Sequence, residues 1–404
     1  MNSAEVSKSG IRETAKSFAG ALSSWKNFYA FNHRLIYHES GSRDLRLDLL
    51  RGVAAFGMVV DHMGGASYLY AFTGGNAYFI SAAEVFVFVS GMVVGLVYGG
   101  LARKEGLYSG QIKAFDRAWT LYKLTIALTL VFAALSYSLN LPWAETLKTQ
   151  NVVDFVFDVF LLRASFYLTD IPMLYTFLMV LSPIGLWLLY THRTKWMLLG
   201  SSAIWLAFQL DPHDIVMPWT IDYNPTFNLA AWQLLFFWAM AIGYHRERLT
   251  RWVNRIPLPV YVIGVTVFLV LLLRINPVHM QTLEQLFPNL NLSDAVNELS
   301  SKSSVGVIRI FAAFTLFQVG FFIVTVFWRP IHWALGWLLL PLGQYALYAY
   351  VMHVIMVGLL FNVTNTLHLD EMMNGIVNTG LQVITVLVIR EMIKRRFLFS
   401  VVPH

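Results

Sequence analysis

An arginine and a histidine eleven positions apart, Arg51 and His62, sit in an otherwise apolar run: Arg46-Leu-Asp48-Leu-Leu-Arg51-Gly-Val-Ala-Ala-Phe-Gly-Met-Val-Val-Asp61-His62. In an α-helix the step between them turns about 1100°, only about 20° past three whole turns, and climbs about 16 Å, so the two share one face. Asp48 lies near that face, at the positive end of the helix dipole where a carboxylate is favoured. An imidazole buried on such a stripe suits proton abstraction or covalent catalysis. The same residues also suit packing, with His62 bonded to a neighbouring helix and Asp48–Arg51 as an interfacial ion pair. Asp61 is 100° around from His62 and reaches the ring only from the side.

The next apolar run opens Ser81-Ala-Ala-Glu84-Val-Phe-Val-Phe-Val-Ser90-Gly91, after a short connection at 73–77 that makes the two helices antiparallel neighbours. Counted from that connection, Glu84 and His62 differ in depth by about a turn or two. A carboxylate beside the ring fixes its tautomer and raises its basicity, whereas a snorkelling Glu84 near the outer boundary does neither. Ser90, Gly91, Gly95 and Gly99 read as a close-packing face. Further on, Asp116-Arg117-Ala-Trp-Thr-Leu-Tyr122-Lys123 opens a third helix. There Arg117 and Lys123, with Tyr122 between them, suit the phosphates of a cytoplasmic cofactor or simple anchoring at the membrane surface. Asp170, Trp232, Gln233, Gln344 and His353 read as polar packing groups.

Elements of a particular kind must carry these groups. The 404 residues are 57% hydrophobic and 13% charged, with a mean hydropathy of +0.58, which places the chain in lipid. Segments of the length needed to cross a bilayer number about ten, at roughly 49–72, 78–100, 114–138, 170–190, 196–210, 228–245, 258–274, 305–327, 334–361 and 374–396. This predicts an all-α polytopic membrane protein. Lys and Arg concentrate in alternate connections, at 101–113, 191–195, 245–255 and the C-terminal end, while 73–77, 211–227 and 362–373 contain neither. The positive-inside rule therefore places both termini in the cytoplasm and accounts for the net charge of +6 without a nucleic-acid partner. The expected domain map is a cytoplasmic amphipathic segment at 1–47, with Phe18, Leu22, Trp25 and Tyr29 at helical spacing, then a membrane domain at 48–396 and a tail at 397–404. No cleavable leader is expected. The absence of cysteine excludes disulfides, thiolate metal sites and a Cys nucleophile. No metal-ligand spacing, nucleotide-binding loop or internal repeat is present. The outward loops carry Trp143, Asn151, Asp154, Asp158 and Phe166 in one, and His279, Gln281, Asn289, Asn291 and Asp294 in the other. Mixed polar and aromatic loops of this kind suit a hydroxylated acceptor, or ordinary helix capping.

The run Arg43-Asp-Leu-Arg46-Leu-Asp48-Leu-Leu-Arg51-Gly52 with Asp61-His62, the Ser81–Gly91 block, Arg117-Ala-Trp-Thr-Leu-Tyr122 and Ala231-Trp232-Gln233-Leu-Leu-Phe-Phe together resemble the OpgC family. The resemblance implies ten membrane helices in a bacterial inner membrane and O-succinylation of a periplasmic glucan, with a cytoplasmic acyl-CoA (succinyl-CoA) as donor and no metal. The Arg51–His62 spacing also resembles that of the broader membrane acyltransferase superfamily. It implies His62 as the catalytic group, with Arg51 as donor or structural partner; the reading of the residues adds Glu84 or Asp61 as assistants to His62 and places Arg51, Arg117, Asp48, Tyr122 and Lys123 toward the donor. Where that superfamily pattern leads one to expect a polar or His-bearing segment after Arg117, this chain reads Lys123-Leu-Thr125. Direct transfer and a transient acyl-His62 both fit these residues. A proton-coupled transporter or lipid flippase using Asp61, His62 and Glu84 as a relay is the reading from another class.

Overall fold

A computed structural model describes residues 24–38, 43–74, 79–148, 151–224, 226–274, 285, 292–366 and 370–404. The described residues contain helices and no strand, and the pairing of Ala164 with Asp222 is an isolated bridge. A short helix α1 (Trp25–Phe31) precedes the bundle. The long helices are α2 (Leu45–Met63), α3 (Ala82–Glu105), α4 (Leu107–Ser138), α5 (Asp170–Tyr190), α6 (Thr194–Leu210), α7 (Leu229–Tyr244), α8 (Leu258–Arg274), α9 (Val307–Val326), α10 (Trp337–Gln344), α11 (Ala346–Thr366) and α12 (Glu371–Lys394).

Six of the described helices are long and apolar enough to cross a membrane, and a seventh span results if the pair Arg246–Val253 and Leu258–Arg274, bent by 104°, is taken together. Helix α2 falls outside that set because its apolar residues are interrupted by Arg46, Asp48, Arg51 and Asp61. Helix α7 is short at 16 residues, yet nearly all of it is buried. By contrast α8 buries only Leu258 and turns Val260, Ile263, Val267 and Leu271 outward, an apolar face that suits lipid.

Three sequence expectations change. The first helix ends at Met63, not near 72, because Gly64 and Gly65 take φ of +67° and +72°, a region that residues with a Cβ resist. His62 therefore lies in the last turn of α2, about 26 Å along it, and not at mid-span. The segment 334–361 is two helices: α10 contains Pro341 and stops at Gln344, Tyr345 breaks the geometry at φ −114° and ψ 41°, and α11 restarts at Ala346. The N-terminal segment keeps Trp25 and Tyr29 on α1, with Trp25 donating to the Ile256 carbonyl at 2.8 Å. Phe18 and Leu22 lie outside the described residues.

Backbone contacts set the position of α2. A Cβ on Gly52 would collide with the Leu339 carbonyl, and one on Gly343 with the Asp48 carbonyl, so α2 and α10 meet main chain to main chain. Gly91 and Gly95 play the same part between α3 and α7, which makes the expected close-packing face real. Gly343→Ala should cost about 1–3 kcal/mol, since backbone cannot swing aside as a side chain can. The drop in thermal midpoint of purified protein measures it, and an unchanged midpoint would mean a looser junction. At the start of α2, Asp44 accepts from Arg46 at 2.9 and 2.8 Å and from Arg246 at 2.7 Å. Burial alone would raise the Asp44 carboxyl, but Arg46 and then Arg246 outweigh it and hold it below its usual value.

Candidate functional site

Two cavities are lined by residues of α2. One, of about 430 Å³, opens at the His62 end of α2, with Asp61 and His62 on one wall and Trp143, Tyr167, Asp170 and Lys302 around them. The other, of about 230 Å³, lies toward the start of α2 and is lined by Arg51, Ser90, Tyr98, Arg117, Tyr175, Gln344 and Tyr350. Ile171, in the first turn of α5, borders both. The Arg51–His62 stripe thus serves two chambers, one residue in each.

His62 Nδ1 lies 2.9 Å from His353 Nε2, with the rings stacked at 5.1 Å. His353 is 1% exposed and sits one turn after Tyr350, whose ring meets it edge-on at 4.8 Å. One of the two facing nitrogens must carry the hydrogen; with it on His62 Nδ1, His353 Nε2 is the acceptor. The Nε2 of His62 is then left with a bare lone pair and has no hydrogen-bond partner among the described residues. This is the state a general base requires.

The larger cavity combines a flat aromatic face with polar groups. Trp143 stacks on Tyr167 with centroids 4.3 Å apart and is fixed by donating to Ser136 Oγ at 2.6 Å. Asp61 accepts from the Thr73 hydroxyl at 3.3 Å, and Asp170 accepts from the Ile171 N–H at 2.9 Å. In the smaller cavity Arg51 and Arg117 make no hydrogen bond or ion pair among the described residues, while Tyr175 donates to Ser90 Oγ at 3.3 Å. The π-helical turn Val94–Tyr98 of α3 lies along this cavity, a departure from α-geometry common at functional sites.

Other expected site residues stand elsewhere. Glu84 lines neither cavity. Its Oε1 accepts from Arg309 Nη1 at 2.6 Å and its Oε2 from Ser81, so the carboxylate partner expected for His62 is replaced by His353. Asp48 is gripped by Arg43 at 2.6 and 2.8 Å, not by Arg51. Tyr122 donates to the Phe160 carbonyl at 2.9 Å, and Lys123 lies over Trp119 at 5.8 Å; neither lines the smaller cavity. Gln233 ties α7 to α6, accepting from Ser201 Oγ at 2.7 Å and donating to its carbonyl at 2.8 Å. Of the outer-loop residues, Trp143 and Phe166 line the large cavity, Asn151 caps the helix Val152–Phe160, and His279, Gln281, Asn289 and Asn291 lie outside the described residues. No group of three or more metal-ligating side chains occurs among the described residues.

Comparison with curated proteins and with solved structures gives no match. The family model described as OpgC protein matches residues 43–395, which include the His62–His353 pair and every lining residue of the two cavities except His404, and the chain belongs to the OpgC family.

Proposed function

We propose that the protein is a membrane-embedded O-acyltransferase that moves an acyl group, succinyl by the family resemblance, from a cytoplasmic acyl-CoA to a hydroxyl of an extracytoplasmic glucan. The observation that carries this reading is the histidine pair, with His62 on the wall of a larger aromatic and acidic cavity and Arg51, on the same helix, on the wall of a smaller basic one. The accompanying topology has about ten crossings, α2 to α9 with α11 and α12, and both termini on the cytoplasmic side of a bacterial inner membrane. The basic residues at 103–104, 193–195, 246–255 and 394–396 support it.

In this mechanism Arg51 and Arg117 attract the negative groups of the donor. A cavity of about 230 Å³ is smaller than the roughly 300 Å³ at which ligand pockets begin. It therefore takes the acyl arm, with the nucleotide outside. The Trp143–Tyr167 stack offers a sugar ring a flat apolar face, while Asp61 and Asp170 accept from its hydroxyls. His62 Nε2 takes the proton of the attacking hydroxyl as its oxygen bonds to the thioester carbonyl carbon. The C–S bond then breaks, and the imidazolium returns the proton to the departing sulfur. His353 keeps the ring in the tautomer this needs.

The test is purified protein in sealed vesicles, with labelled succinyl-CoA on one side and a β-glucan on the other. Label in ester linkage to the glucan supports the proposal. Proton-coupled movement of solute with no donor present, and no ester formed, would replace it with transport.

A further inference from the structure

Glu84 is fully buried, at 0% exposed, yet does not touch His62. Its bonds from the Ser81 N–H at 2.7 Å and hydroxyl at 2.6 Å close the first turn of α3. That cap explains one carboxylate oxygen only. The other takes a guanidinium from a helix 225 positions away, and burying such a pair is costly to desolvation, so capping alone does not account for it. Arg309, in the first turn of α9, has a second attachment: its Nε donates to the Ser300 carbonyl at 3.0 Å. One side chain therefore joins the start of α3 to the segment 300–306. From the other side α6 holds the same segment, with Gln209 Nε2 donating to the Ser304 carbonyl at 2.6 Å and Trp205 Nε1 to the Val305 carbonyl at 3.0 Å.

The segment carries Lys302 into the larger cavity. Lys302 lies over the Phe227 ring at 5.6 Å and forms no ion pair among the described residues. It is the only Lys or Arg on the described wall of that cavity, opposite Asp61 and Asp170. The geometry points to Glu84 as a positioning residue: through Arg309 it latches segment 300–306 and so holds Lys302 over the acceptor side of the His62 cavity. There the ammonium, with three donors, complements the two carboxylates in binding acceptor oxygens. This role for Lys302 rests on the acyl-transfer reading. The latch itself does not.

Because the chain has no cysteine, Thr146→Cys with Ser303→Cys places two spin labels across the cavity in the full-length protein. A single narrow distance distribution is expected, broadening in Glu84→Gln. If that variant fails to fold, Arg309→Lys keeps the charge pair, lacks the arm to Ser300, and should broaden the distribution in the same way. An unchanged distribution overturns the latch whether or not the protein transfers acyl groups. In the transfer assay Glu84→Gln should raise the acceptor KM tenfold or more, with kcat and the donor KM changing less than threefold. Lys302→Ala should reproduce that rise without affecting the label distances, and the double variant should be no worse than Lys302→Ala. A fall in kcat with the acceptor KM unchanged, the result expected of a proton-transferring group, or multiplying effects in the double variant, overturns the assignment. Absence of ester with the native chain defeats the acyl-transfer reading while the label distances still decide the latch.

Discussion

His62→Ala is expected to lower acyl transfer by about 10³-fold or more, with helix content and thermal midpoint retained, because it removes the group that takes the proton. His353 should behave differently, and the difference tests the tautomer argument. In the tautomer that leaves His62 Nε2 free to act as base, His353 Nε2, 2.9 Å away, accepts the His62 Nδ1 hydrogen, so it orients the base and touches no substrate. Groups of that kind are worth about 10–100-fold. His353→Gln puts an amide oxygen where the Nε2 was and should keep transfer within about tenfold of the native chain, whereas His353→Leu leaves the Nδ1 hydrogen with no acceptor and should lose about 100-fold. Equal losses in the two variants would mean that His353 only fills space. Full transfer by His62→Ala would remove the histidine from the chemistry altogether.

The shared face of Arg51 and His62 was legible because helical periodicity is rigid: eleven residues return to the same azimuth whatever surrounds the helix. What that face meets was not legible, since it depends on α11, and His353 lies 291 positions from its partner. The depth argument for Glu84 located the residue along the membrane but not its contacts. Arg309, also far along the chain, is the stronger partner for a buried carboxylate than a neutral imidazole. Other departures were within reach of the sequence. Tyr122 and Lys123 stand five and six residues past Arg117, about 140° and about 240° around the helix, and so face away from it. The Gly64-Gly65 pair after Met63 is a helix stop by its composition. The break at Tyr345 was masked because the apolar run continues through it, and hydropathy averages over a bend that Pro341 alone announces.

Arg51 gives the sharpest separation between a group kept for ligand and one kept for the fold. Among the described residues it donates no hydrogen bond and closes no ion pair, and Asp48, the carboxylate three positions before it, attracts it only at longer range because it is already bound by Arg43. A cation on a cavity wall without a hydrogen bond or ion pair of its own costs the folded state free energy, so Arg51→Gln should leave the thermal midpoint unchanged or raise it. Binding should suffer instead. A hydrogen bond to a charged group is worth about 1.5–3 kcal/mol, or about 10–150-fold. Arg51→Gln is therefore expected to lower kcat/KM for the acyl-CoA by about 100-fold with the acceptor KM unchanged. Arg51→Lys should recover only part of this, because one ammonium does not reproduce the guanidinium fork. Arg117 is half-exposed at the same cavity, and its loss should cost about tenfold, shrinking as salt rises because solvent ions reach it. If Arg51→Gln unfolds the protein while the remaining folded fraction binds donor normally, the arginine belongs to the scaffold and the donor must enter elsewhere. A stable variant blind to acyl-CoA is the outcome that the paired cavities require.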